Sequence, residues 1–323
     1  MRSLESSLPL TRHSQSMNSV FHSPTYTGSN SQTNSTPSYF NSQILPTLKQ
    51  SLSLALAYYL PLAGYLKWPL GSSKPIVSYT PNDGVTLTVA ESNVANFDTL
   101  ISNEMHQATD LHPLVPHLIL SDDKAEILAL QITLFPHQGF CIGTSARHSV
   151  VDGKTASMFM RSWAYLCKYG TGGNIGKTLG LEPNTRSLKI PHQFPPVSQE
   201  MVRARFEFSS KVVQQLREKA LSKVVVIDFG VDCRSRLDPP VPLTYFGNCV
   251  MNYSSSAEAR NFMGRNGFGF AVEMDVSNFY TLKPGTQLII VAGSPKLNVY
   301  EADFGVMSKI KKVEMVSIER DEA

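Results

Sequence analysis

Apolar residues at Leu48, Leu52, Ala55, Leu56 and Tyr59 recur at three- and four-residue steps, the period of one helix face. The pattern predicts an amphipathic helix that starts near Leu45 and is ended by Pro61 and Gly64. Strand-like runs follow at 85–90, 118–120, 127–134 and 140–145. Residues 153–168 read as a second helix, with Met158, Phe159, Trp163 and Leu166 on one face. The stretch 170–196 is rich in Gly, Pro and Asn and reads as a crossover linker. A second set of elements is predicted beyond it. These are a strand near 204–208, a helix at 210–221, a strand at 224–229, a helix near 257–266 and strands at 287–291 and 313–318. Strands and helices alternate in both halves without a repeating βα unit. That favours an α/β or α+β sandwich of two similar-sized domains over a barrel.

Residues 11–43 stand apart from this pattern. Ser, Thr, Asn and Gln fill 21 of these 33 positions and no acidic residue occurs. Such a tract buries too little apolar surface to offset its ordering entropy, so it is expected to be loose. The expected organisation is a polar, disordered segment at 1–43, a first domain at 44–170, a linker at 171–200 and a second domain at 201–323. The length of 323 residues agrees with two domains at about 150 residues each.

Composition removes several function classes. Lys and Arg number 29 against 26 Asp and Glu, and no dense basic stripe occurs, which argues against a nucleic-acid partner. The most apolar stretch, 52–63, is too short to span a bilayer, so no membrane partner is expected. Cys141, Cys167, Cys233 and Cys249 are widely spaced, with no C-x-x-C and no nearby His cluster. They argue against a structural zinc and fit reduced thiols in a cytoplasmic protein.

Two motifs mislead. Residues 171–178 nearly match a phosphate-binding loop, but Thr171 replaces the first glycine and the segment follows a helix rather than a strand. Residues 143–147 lack the last glycine of a serine-hydrolase elbow. His-x-x-x-Asp occurs twice. His106 and Asp110 lie in a polar context and read as a surface pair. His148 and Asp152 differ, because an apolar strand delivers His148 at its end and Asp152 opens the next helix. Histidine is the side chain best matched to accepting a proton near neutral pH. Asp152 can cap the helix or hold an arginine. On these residues alone, a packed core histidine beside a capping aspartate is an equal reading.

The block Arg147-His148-Ser149-Val150-Val151-Asp152-Gly153 resembles the H-x-x-x-D-G signature of the plant BAHD acyltransferases. Val299-Tyr300-Glu301-Ala302-Asp303-Phe304-Gly305 resembles the start of that family's D-F-G-W-G motif. Tyr245-Phe246-Gly247-Asn248-Cys249 is similar to a block of its anthocyanin and flavonoid (phenolic) glucoside malonyltransferase branch. Segments 46–69, 232–240 and 292–295 resemble family segments too. Three separated blocks in the right order are more specific than any one of them.

The resemblance implies the α/β fold of chloramphenicol-acetyltransferase-like, CoA-dependent acyltransferases, with two similar-sized domains and a channel between them. It implies that His148 is the catalytic base, deprotonating an acceptor hydroxyl that attacks an acyl-CoA thioester. The third block implies malonyl-CoA as donor and a sugar hydroxyl of a phenolic or flavonoid glucoside as acceptor. Acyl-CoA is then a co-substrate; no cofactor stays bound and no metal is needed. Asp152 and Asp303 are implied to be structural at the active site, turned away from the channel to pair with Arg234 and Arg236. Asn248 is the candidate donor to the tetrahedral oxyanion. Arg161 and Arg186 are candidates for holding a malonyl carboxylate. Small-molecule substrates and a monomer complete the expectation.

The chain also departs from the pattern. Val306-Met307 stands where Trp-Gly should close the second motif. Segments are missing between Leu221 and Val224 and around 277–284, and a polar tract replaces an apolar N-terminus. The alternative reading is therefore a catalytically impaired homologue that still binds CoA or a phenolic ligand.

Overall fold

The computed structural model describes residues 16–24, 36–70, 75–93, 97–102, 106–172, 202–203, 224–242, 245–258, 287–291, 297–305 and 310–316. The chain divides into two units. One holds Met1–Ala204, Thr244–Asn248 and Asn298–Ala323; the other holds Arg205–Leu243 and Cys249–Leu297. Eight strands carry the main sheets: β1 (Ser16–Pro24), β2 (Thr86–Glu91), β3 (Leu128–Phe135), β4 (Gly139–Arg147), β5 (Val224–Asp232), β6 (Val250–Glu258), β7 (Gln287–Val291) and β8 (Lys312–Val316).

The first unit is built on a five-stranded sheet in the order β8-β1-β4-β3-β2. β1 runs antiparallel to both neighbours, β3 and β4 form an antiparallel hairpin, and β2 joins β3 in parallel. Every residue of β3 and β4 is buried, which is why they read as continuous apolar runs rather than as alternating strands. The strand period of two splits β4 between two cores. Phe140 and Ile142 join the larger one, while Cys141 joins Val20, Phe97, Leu111, Leu114, Val115 and Phe135 in the smaller. Gly143 is required at its place, because a Cβ would collide with the Leu114 carbonyl oxygen.

Two helices pack into the larger core: α1 (Leu45–Tyr58) and α2 (Gly153–Tyr169). Of the predicted stripe, Leu48, Leu52, Ala55 and Tyr59 are buried and Leu56 is partly buried; on α2, Phe159, Trp163 and Leu166 are buried in the same core and Met158 is partly buried. Trp163 locks the pair. Its indole N–H donates to the Leu48 carbonyl at 3.2 Å and to Ser51 Oγ at 3.1 Å. The second unit contains a three-stranded sheet, with β5 antiparallel to β6 and parallel to β7.

Three expectations are corrected. The tract 11–43 is not loose throughout, since β1 lies within it, between β4 and β8, with Met17, Val20 and Phe21 buried. A strand inserted between two others has both backbone edges paired, so a polar composition is no bar to order. Pro37–Tyr39 begins a helical run capped by Thr36, and Phe40 and Ile44 of that run are buried. The division at residue 201 also fails for the C-terminal stretch: β8 pairs with β1, so Asn298–Ala323 belongs to the first unit. Of the helix expected near 257–266, Ala257 and Glu258 end β6 instead. The remainder of that helix lies outside the described residues, as do the elements expected at 204–208 and 210–221. So do the phosphate-loop decoy beyond Gly172 and most of the linker. Among the described residues, no helix is long and apolar enough to cross a membrane.

Candidate active site

β4 ends at Arg147, whose side chain turns inward and donates from Nε to the Glu126 carbonyl at 2.7 Å. The chain then turns tightly. The amides of Val150 and Val151 both donate to the Arg147 carbonyl at 3.0 Å, and both side chains are buried. Arg147 and Ser149 are buried as well, while His148 between them is only partly buried. The turn thus anchors its neighbours and leaves the imidazole accessible.

Asp152 caps α2. Its backbone is extended, and its Oδ1 accepts the Thr155 amide at 2.8 Å. A carboxylate there satisfies an orphan helix donor and meets the positive end of the helix dipole. Thr155, one turn into the helix, is fully buried and bonds Gly247 twice, donating to its carbonyl at 2.9 Å and accepting its amide at 3.3 Å. Gly247 has φ +140°, a conformation that suits glycine, and a Cβ would lie 2.9 Å from the Tyr245 hydroxyl. Phe246 packs edge-on against Tyr59, with centroids 5.9 Å apart. Tyr59 in turn meets Phe159 and bonds Ser162 at 2.8 Å, and burial raises its phenol pKa.

This loop brings Asn248 onto His148. Asn248 Nδ2 donates to the His148 carbonyl at 2.5 Å and lies 3.4 Å from ring Nδ1. The carbonyl acceptor fixes which way the amide faces. The ring contact, at 3.4 Å, is longer than the usual 2.7–3.2 Å, so the carbonyl bond is the stronger of the two.

Asp303 pairs with Lys168 at 2.6 Å, and its Oδ1 accepts the Gly305 amide at 3.0 Å. That bond to Asp303 is the main reason the Lys168 pKa is raised. Lys168 is in the last turn of α2 and His148 precedes the first, so the D-F-G segment sits roughly 20 Å along the helix from the imidazole at 1.5 Å per residue. Phe304 anchors that segment edge-on to Trp163, with centroids 5.1 Å apart. Asp303 thus forms a clasp with Lys168 at the far end of α2. Arg234 is fully buried and meets Asp232, two residues before it, at 3.0 Å. Arg236 donates to the Asp232 carbonyl at 2.7 Å. Arg161 is engaged by Glu301 at 3.1 Å, and Arg186 lies outside the described residues. The sequence pattern assigned no role to Thr155, Gly247 or Lys168.

The Transferase family model matches residues 32–228. Phenolic glucoside malonyltransferase 1 of Arabidopsis thaliana is 36% identical, over 88% of this chain and 79% of its own. The chain belongs to this family, the BAHD acyltransferases. Two further Arabidopsis thaliana members are each 33% identical. They are malonyl-CoA:anthocyanidin 5-O-glucoside-6''-O-malonyltransferase, over 88% of this chain and 81% of its own, and agmatine coumaroyltransferase, over 85% and 78%. The solved structure of F. graminearum TRI101 with coenzyme A and T-2 mycotoxin has the same fold. Its TM-score is 0.65 at 14% identity, covering 96% of this chain and 87% of that one. The match to phenolic glucoside malonyltransferase 1 spans 375 positions, more than the 323 residues here, so that BAHD relative carries segments this chain lacks.

Proposed function

We propose that this acyltransferase moves a malonyl group from malonyl-CoA to a sugar hydroxyl of a phenolic glucoside, with His148 as general base. The observation that carries the reading is the partly exposed imidazole at the end of a fully buried strand, braced by Asn248 from the malonyltransferase-like block. The similarity to named malonyltransferases supports the donor.

In this reaction the acceptor O–H proton passes to an imidazole nitrogen as the oxygen attacks the thioester carbonyl carbon. The tetrahedral intermediate collapses, the C–S bond breaks, and the imidazolium returns its proton to the departing sulfur. The products are an ester and free CoA thiol. General-base help of this kind is worth roughly 10²–10⁴ in rate, about 3–5 kcal/mol of barrier. Asn248, whose amide lies at His148, is the candidate oxyanion donor in this reading. The reading also holds the protein to be a cytoplasmic monomer with reduced thiols; Cys141, Cys167 and Cys233 are buried.

The test is incubation with malonyl-CoA, with and without a phenolic glucoside, following free thiol and product mass. Acceptor-dependent thiol release with a malonylated product is expected. Release without acceptor, or turnover only with coumaroyl-CoA and agmatine, overturns the assignment. A second reading, an impaired homologue, is favoured by the segments that the relative has and this chain lacks. It predicts CoA binding by calorimetry without turnover on any of these pairs.

A further inference from the structure

Resting on the reading that His148 is the base, we propose that Thr155 is a positioning residue for the reaction, its buried hydroxyl clamping Gly247 and so holding the Asn248 amide against His148. One hydroxyl satisfies both polar groups of a single residue, donating to the Gly247 carbonyl and accepting its amide, across 92 positions of sequence. The Thr155 amide is itself held by Asp152. The bonds form a closed ring: Asp152 to Thr155, Thr155 to Gly247, Asn248 next in the chain, its amide to the His148 carbonyl, and the turn 148–152 back to Asp152. Gly247 has little freedom to drift, since the Tyr245 hydroxyl occupies the space beside its α-carbon and Phe246 is seated on Tyr59. A shift of Gly247 is thus passed to the amide that touches the imidazole. In this arrangement the buried carboxylate of Asp152 serves the base indirectly, by fixing the helix turn from which Thr155 reaches out.

Thr155→Val keeps the shape and removes the hydroxyl; Thr155→Ser keeps the hydroxyl. The experiment compares both with the native protein and His148→Ala in three readouts. These are unfolding midpoint, kcat and KM with malonyl-CoA and a phenolic glucoside, and the ¹⁵N resonances of the His148 ring, assigned by their loss in His148→Ala. Thr155→Val is expected to lower kcat roughly 10- to 100-fold, the scale of a misplacement of about 1 Å, with KM for malonyl-CoA changed less than about threefold. Its His148 ring resonances are expected to move, and Thr155→Ser to restore both kcat and resonances. Native kcat, or a loss matched by the unfolded fraction, with unmoved ring resonances overturns the proposal. The ring readout needs no substrate, so it decides the matter even where His148→Ala remains active and the base reading falls. If Thr155→Val does not fold, Asn248→Ala takes its place: the ring resonances are expected to move, and an unmoved ring overturns the clamp.

Discussion

Strand β1 gives the sharpest contrast between composition and structure, and two single substitutions test it. Val20 and Phe21 are adjacent, so they point to opposite faces of the sheet. Val20 is fully buried in the smaller core, and Phe21, 5% exposed, lies in the larger. Val20→Ala removes two methyl-sized groups at about 0.8 kcal/mol each and leaves a small cavity, for about 2 kcal/mol in all. Phe21→Ala is expected to cost about 3–5 kcal/mol. Against a total stability of about 5–15 kcal/mol, the second alone is severe. The assay is guanidinium unfolding followed by tryptophan fluorescence. The chain has two tryptophans, Trp68 and Trp163, and Trp163 shares the larger core with Phe21. If the tract were loose, both variants would fall within about 0.5 kcal/mol of native, as surface substitutions do. That result would refute the placement of β1.

Burial pushes the Cys141 thiol up to about 12 and the Cys167 thiol to about 11. Each is raised above its unfolded value, so the stabilisation is fully present below about pH 9 and is lost as pH rises through 11 and 12. Stability should fall by about 1.4 kcal/mol per pH unit for Cys141 above pH 9, and Cys141→Ala should flatten that slope. A denaturation midpoint unchanged between pH 8 and 10.5 would contradict this. Asp303→Asn should leave kcat within about twofold of native, because an exposed pair at the far end of α2 contributes little and the Gly305 bond survives. A tenfold fall in kcat per folded molecule would return Asp303 to the active site.

Much of the first unit was legible because its signals are local. The stripe Leu48, Leu52 and Ala55 marked α1, and the run 140–145 marked β4, with the end shifted by two residues to Arg147. β1 was illegible because Ser16, Asn18, Ser19 and Ser23 carry no strand pattern; the neighbours β4 and β8 impose one. The two residues of the expected helix that turned out to end β6 failed for the same reason: β5 pairs with Ala257 and Glu258 whatever their own preference. At the site, His148 and Asp152 were visible as a spacing with context. The partners were not, because Thr155 meets Gly247 across 92 positions and Lys168 meets Asp303 across 135, distances at which only the fold decides contact. The arginines near Asp232 were visible, and the Asp232 carboxylate two residues away is a partner of Arg234 that the motif comparison did not point to.

The central claim is that the imidazole at the end of β4 takes the acceptor's proton. Rates of thiol release from malonyl-CoA, measured with a phenolic glucoside on native and His148→Ala proteins of matched unfolding midpoint, test it most directly. The account predicts a fall of about 10²–10⁴ with CoA affinity preserved; a variant rate within about threefold of native would contradict it.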